Sequence, residues 1–440
     1  MIFSTRTAIH FLSLLSFPVL AQVPQTLVPI DESVAEVFQQ IASDERVRSL
    51  LQLIEAREPD NVREQFRITE IPAPPFQEER RAVYYLEQMR TRGLSDAFID
   101  TEGNAIGIRK GTGNGPTLLI AAHLDTVFPE DVDTTVELRG GRYYAPGIGD
   151  DTRGLAVLLS IIEVLNESGV ETVGDIIFSG NVGEEGRGDL RGIKAIFRDY
   201  PEIDGFISID GVQLRRITTG ATGSRRFEFH FKGPGGHSFG AFGLPSAIHA
   251  MGRAIAKISQ LETLPFPKTT FTVGTVEGGT SVNSIAADAT FAIDMRSNDL
   301  GQLAELEERT KAAALEAVAE EKARWNNGQV TVEFNLIGDR PVGRTPTESS
   351  IVQVAALAFD KIGIELQELG ISSTDSNVPM SLGIPAITIA GGGNGGGSHS
   401  PNEWFVPINS HKGPQISLLI LLTLVGIDEL SSPLLEDRNH

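Results

Sequence analysis

The chain of 440 residues contains no cysteine. Disulfides and thiolate metal sites are therefore excluded, and any metal must be held by nitrogen and oxygen donors. Basic residues are scarce: 37 Lys and Arg stand against 58 Asp and Glu, a formal net charge of −21. Phosphate binding needs a basic face, so no nucleic-acid partner is expected. The acidic excess is spread along the chain and reads as a solvated surface. No apolar run reaches the roughly 20 residues that a spanning helix needs. Two shorter runs occur. Ile9 to Leu20 follows Arg6, the sole charge of the first 25 residues, and ends at Val19-Leu20-Ala21. That order predicts a secretory signal peptide over 1–21, a secreted or periplasmic protein, and no membrane attachment after cleavage. The second run, "ISLLILLTLVGI" at 416–427, predicts a buried C-terminal helix.

What is present is ordinary for a globular protein: 40% hydrophobic and 22% charged residues, on a chain long enough for two or three domains. One amphipathic helix is expected over 31–58 and another over 77–92. Short strands then alternate with helices: "DAFID", "NAIGIRK" and "TLLIAAHLD", helix "RGLAVLLSIIEVLNE", strand "GDIIFSG", helix "LRGIKAIFRDY", strand "GFISIDG". Several strands are apolar throughout, which predicts an α/β layer with a mainly parallel sheet. After Gly220 the order becomes β-α-β-β-α-β, a ferredoxin-like split unit whose sheet has one open face suited to docking or dimerisation. From about Asp339 the α/β order resumes with helix "ESSIVQVAALAFDKIG" and strands "IELQELG" and "PAITIAG". The expected division is a catalytic domain over 31–220, an inserted domain over 221–338, and the rest of the catalytic domain over 339–434.

Ligands of an α/β sheet bind beyond the carboxyl ends of its strands. The polar residues expected there are His123 and Asp125, Asp150 and Asp151, Glu184 and Glu185, Asp210, and His399. Two histidines and several carboxylates on one rim form a hard-ligand metal site. A spacing of two puts His123 and Asp125 on the same face of a strand, where Asp125 is expected to hold the second imidazole N–H. Each element alone is weak, since adjacent glutamates are commonly a solvated turn. Order, spacing and strand-end placement together carry the signal. "AGGGNGGGSHS" is not a phosphate loop, because the Gly-Lys-Ser/Thr ending is missing. Its glycines are expected to let backbone approach a substrate.

In these motifs, and over nearly the whole chain after residue 21, the sequence resembles the M-20 dizinc peptidases. That group includes peptidase T, carboxypeptidase G, acetylornithine deacetylase and succinyl-diaminopimelate desuccinylase. The resemblance implies a zinc-peptidase-like α/β catalytic domain with an inserted ferredoxin-like lid and dimerisation domain. It implies two Zn2+ per chain, with Co2+ or Mn2+ as substitutes. His123 would bind one zinc, Asp150 would bridge both, Asp210 would complete the first site, and Glu185 and His399 the second. Three negative ligands against four positive charges leave a surplus that a bridging hydroxide neutralises. Glu184 would be the general base. His237 would reach the partner subunit's site and steady an oxyanion with Asn283, and Arg296 would grip a substrate carboxylate. The peptide after the bridging Asp150 would be cis. Thr152 and Arg153 stand where many members have a lysine nearby. The expected substrates are short peptides, acted on by a zinc-dependent exopeptidase that works as a homodimer. N-acylated amino acids, for a deacylase with the same metals, are the alternative, and a non-catalytic dimerising relative is the rival from another class.

Overall fold

The computed structural model describes residues 27–113 and 115–438. The expected signal peptide, 1–21, lies outside them. The helix expected over 31–58 is two helices, Glu32–Ser43 and Glu45–Thr69. Asp44 separates them by taking extended backbone, and its carboxylate accepts from the N–H groups of Arg46 and Val47. A short acceptor side chain there satisfies the donors of a new helix better than continuation would. The next helix is Glu79–Thr91.

The main sheet has a parallel centre. Strands Asp175–Asn181, Thr117–His123, Ile203–Ile209 and Ala386–Ile389 lie side by side in that order and run the same way. Ala105–Arg109 joins one flank antiparallel to Asp175–Asn181, and Arg216–Ala221 joins the other flank. Glu368–Ser372 pairs parallel with Arg216–Ala221. It lies toward the C-terminal end of the strand expected at "IELQELG". The strands Thr117–His123 and Ile203–Ile209 are mostly apolar and buried along almost their whole length because both of their faces are covered. Helices Thr152–Ser168 and Lys412–Val425 supply much of that cover. Residues 413–425 are all buried, which makes the 416–427 run a core helix. Among the described residues no helix is long and apolar enough to cross a membrane.

A second sheet has the order Thr269–Gly278, Asp288–Ser297, Gly223–Lys232, Thr331–Arg340, all antiparallel. With helices Ala247–Ile258 and Leu300–Trp325 it gives the β-α-β-β-α-β order and its own apolar core, including Phe229, Phe231 and Phe291. Alternation along Asp288–Ser297 buries Ala289, Phe291, Ile293 and Met295 and leaves Asp294 and Arg296 on the opposite face. A small third sheet, Glu137–Arg139, Arg142–Tyr144, Trp404–Val406 and Asn394–Gly396, had no counterpart in the sequence pattern. It ties the glycine-rich segment to the loop before Asp150.

Arg153 locks the same two regions together from below. It is fully buried, its Nε donates to the Gly391 carbonyl at 2.8 Å and its Nη2 to the Ser410 carbonyl at 2.7 Å. Its Nη1 lies 3.0 Å from Glu58 Oε1, close but poorly aligned for a hydrogen bond. Arg153→Met would strand the buried Glu58 carboxylate and two carbonyls. A loss of about 3–5 kcal/mol is expected from breaking one side of a buried pair, with partial recovery in the double variant Arg153→Met/Glu58→Gln. Urea unfolding checks this; an unchanged midpoint in the single variant contradicts it.

Candidate active site

The parallel register brings the strand ends together. His123 pairs with Asn181, and Ala121 pairs with Ser208, so His123 and Asp210 leave the sheet side by side. His123 Nε2 lies 3.1 Å from Asp150 Oδ1, and His399 Nε2 lies 3.3 Å from Asp150 Oδ2. The two oxygens of one carboxylate thus face two histidines. His399 Nε2 is also 2.9 Å from Glu185 Oε1. Donor atoms of His123, Asp150 and Glu185 lie within 4.8 Å of one another. Asp210 lines the same pocket without belonging to that tight group. His123 Nδ1 lies 2.9 Å from the Asp125 carbonyl oxygen. A proton on Nδ1 satisfies that contact and leaves the Nε2 lone pair directed at the cluster. All donors are nitrogen or carboxylate oxygen, a set that fits zinc and similar divalent ions.

The Asp125 carboxylate does something other than expected. It is 3.7 Å from the imidazole. Its two oxygens accept from the N–H groups of Glu184 at 3.0 Å and Glu185 at 2.7 Å. It shapes the turn that presents the glutamates, and the backbone carbonyl orients the histidine.

The peptide between Asp150 and Asp151 is cis. Asp151 turns inward, where its Oδ2 accepts from the His123 N–H at 3.3 Å and its Oδ1 from the Gly154 N–H at 3.1 Å. Glu403, four residues after His399, holds the other side of the loop. Its carboxylate accepts from the N–H groups of Gly147, Gly149 and Asp150 at 2.8–3.0 Å. The glycines of 391–397 serve the chain's own packing: Gly392 has φ +87°, and a Cβ there would sit 2.5 Å from the Ser410 oxygen. The expectation that they make room for substrate is replaced by this one.

Burial and mutual repulsion dominate the electrostatics. Burial, reinforced by the charge of Asp150, pushes Asp210 up to about 7. Burial likewise pushes Glu184 well above the usual carboxylate range and Asp375 up to about 6. Asp150 is the exception: burial opposes its charge, but hydrogen bonds from His123 and His399 hold it well below the usual range. Hydrogen bonds to Asp150 and Glu185 push His399 up to about 10. A divalent cation is the natural counter-charge for such a group.

Glu184 sits apart from this cluster. Its Oε1 accepts from Arg340 Nη1 at 3.0 Å, and the same nitrogen donates to Ser373 Oγ at 3.1 Å. Arg296 lines the metal pocket, which has a volume of about 450 Å3. His237 and Asn283 do not reach it. They line a separate pocket of about 640 Å3 in the second sheet's domain. There His237 Nδ1 accepts from the N–H groups of Phe239 and Gly240, both at 3.2 Å, which puts the ring proton on Nε2. Three residues of the site escaped the sequence pattern: Arg340, Glu403 and Asp375. Each is a lone charge without a motif partner; only the placement of Glu403 within "SHSPNEW" offered a signal.

The model of peptidase family M20/M25/M40 matches residues 119–422. The chain belongs to this family. It is 29% identical over 305 residues to an uncharacterized protein, YqjE, of Bacillus subtilis, covering 66% of this chain and 76% of that one. It is 29% identical over 206 residues to carboxypeptidase G2 of Pseudomonas sp., covering 44% of this chain and 47% of that enzyme. Among solved structures, aminopeptidase PepT of Bacillus cereus matches with a TM-score of 0.64 and 23% identity over 82% of this chain and 96% of that one. The protein is therefore an enzyme, a hydrolase of a metal-dependent peptidase family. The secreted or periplasmic location expected from residues 1–21 is withdrawn: the matching peptidase structures give no support for a signal peptide, and residues 1–21 lie outside the described residues.

Glu403 gives a direct test of how the site is held. Glu403→Leu leaves three backbone N–H groups without an acceptor. At about 1–3 kcal/mol each, a loss of at least ~3 kcal/mol is expected in urea unfolding, with Glu403→Gln intermediate. Equal stability of all three forms contradicts the anchoring role.

Proposed function

We propose that the protein is a dizinc exopeptidase acting on short peptides, with His123, Asp150 and Asp210 at one metal and Asp150, Glu185 and His399 at the other. The observation that carries this is the Asp150 carboxylate, whose two oxygens each face a different histidine. When bound, the metals would polarise the scissile carbonyl and acidify a water molecule. Asp125 orients the Glu184–Glu185 turn, so that one carboxylate faces the metals and the other stays free. Glu184, paired among the described residues only with Arg340, takes a proton from the attacking water and passes it to the leaving nitrogen. Arg296 grips a substrate carboxylate through its planar fork. Residues 221–338 form the lid and dimerisation domain, and His237 with Asn283 serves the partner's site, consistent with their place in a pocket remote from this chain's own metals. An N-acyl-amino-acid deacylase with the same centre is the second reading, favoured by 25% identity over 341 residues to succinyl-diaminopimelate desuccinylase of Corynebacterium glutamicum.

Three variants separate the roles. Glu184→Ala is expected to keep both zincs and lose turnover by at least ~10²-fold; zinc loss would mean that Glu184 and Glu185 have exchanged roles. His399→Ala is expected to lose about one zinc per chain by elemental analysis, since it is one of only two ligands that serve the second metal alone; two tightly held zincs would remove it from the ligand set. Mixing Glu184→Ala with His237→Ala chains is expected to restore activity through one hybrid site. No recovery despite subunit exchange would place His237 outside the partner's site.

A further inference from the structure

The metal pocket is lined by four arginines, Arg216, Arg226, Arg296 and Arg340, in a chain of net charge −21. Two of them are spoken for. Arg340 pairs with Glu184, and Arg226 gives its Nε to Asp294 Oδ1 at 3.0 Å and an Nη to the Gly186 carbonyl. Among the described residues Arg296 gives only its Nε, to Asp294 Oδ2 at 2.7 Å. Asp294 therefore fixes the forks of both neighbours and leaves the outer edge of Arg296 for a ligand. Arg216 has no side-chain partner among the described residues. It starts the strand Arg216–Ala221, and Thr218, two residues on, shares its face and lines the pocket with it. Gly370 on the neighbouring strand keeps the way clear: a Cβ there would sit 3.3 Å from Arg216 Cδ. Beside this pocket lies a recess of about 240 Å3 that shares Arg296, Ser372 and Ser373 as its wall and adds Lys268, also without a side-chain partner.

The acidic groups of the pocket, Asp150, Glu184, Glu185 and Asp210, all belong to the metal cluster or its base. Away from the metals the wall is cationic and hydroxylic. One substrate carboxylate satisfies Arg296. Arg216 is a second fork with nothing to bind.

We propose that the substrate carries two carboxylates, and that Arg216 binds the second one while Arg296 binds the first. The substrate class is then a short peptide or N-acylated amino acid that is dianionic, through an acidic side chain or a dicarboxylic acyl group. This rests on the amide-hydrolase reading above.

The test uses the zinc-loaded full chain and five substrates: alanyl-glutamate, alanyl-leucine, N-acetylglutamate, N-acetylleucine and N-succinylleucine. An acidic member is expected to exceed its neutral counterpart in kcat/KM by about tenfold or more, the size of one hydrogen bond to a charged group. The N-acetylglutamate and N-succinylleucine arms show whether the second carboxylate sits on the side chain or on the acyl group. The ratio of acidic to neutral substrate, taken within each variant, is the readout. Arg216→Met is expected to collapse that ratio mainly through KM, and Arg216→Lys to keep part of it. Equal rates for acidic and neutral members, or a ratio unchanged in Arg216→Met, overturn the proposal. Hydrolysis of none of the five overturns the amide-hydrolase reading instead. Calorimetric titration with glutarate and butyrate then decides the subsite alone: tighter glutarate binding that is lost in Arg216→Met upholds it, and equal affinities overturn it.

Discussion

The structure depends on how it neutralises carboxylates crowded at one edge of a parallel sheet. A buried charge without a partner is costly, and this edge holds many. The chain divides them. Asp125 is stabilised by two backbone N–H groups, Asp151 by two and Glu403 by three. Glu184 has Arg340. What remains is Asp150, Glu185 and Asp210 beside two histidines. Among the described residues those have neither backbone N–H donors nor a Lys or Arg partner for their carboxylates, and together with His123 and His399 they are the proposed ligand set. The remaining carboxylates hold the turns that aim these donors.

This division explains which parts were legible in the sequence. Apolar strands, alternating strands and a long Ala-, Glu- and Leu-rich helix have periods that declare themselves, so the parallel layer and the split unit were both visible. The strand ends were visible too, because His123, Asp150, Glu184 and Asp210 each follow directly on an apolar strand or a glycine turn. Asp125 was placed near the right atom but given the wrong partner, since spacing alone does not tell a side-chain oxygen from a carbonyl of the same residue. Arg340 and Asp375 were invisible for a different reason. Arg340 ends an outlying strand of the second sheet, and Asp375 follows a strand that pairs far from its sequence neighbours. Only the tertiary crossing of the two sheets brings Arg340 to Glu184.

The open face of the second sheet carries Arg226, Glu228 and Asp294, and it meets the segment just after the paired glutamates. Arg226 reaches the Gly186 carbonyl, Glu228 pairs with Arg187 at 3.0 Å, and Asp339 accepts through its carbonyl from Lys194 Nζ at 2.8 Å. The Asp339 N–H in turn donates to Asp189 at 2.8 Å. These four contacts are polar and involve exposed groups, so each contributes little alone. An interface of that kind permits relative motion more readily than an apolar one.

The same crossing sets the sign of the pocket. Four of its walls' charges are acidic: Glu184, Glu185 and Asp210 follow strand ends of the main sheet, and Asp150 stands just before helix Thr152–Ser168. Two of the cations, Arg226 and Arg296, come from the second sheet, and Arg340 stands where that sheet returns to the first. Arg216 lies on the main sheet itself, so the guanidinium wall of the pocket is drawn from both sheets. A carboxylate held at Arg296 would link the metal edge of the main sheet to the second sheet, and one held at Arg216 would not. The proposed second carboxylate subsite, Arg216, therefore belongs to the same sheet as the metal ligands, and the first, Arg296, to the other.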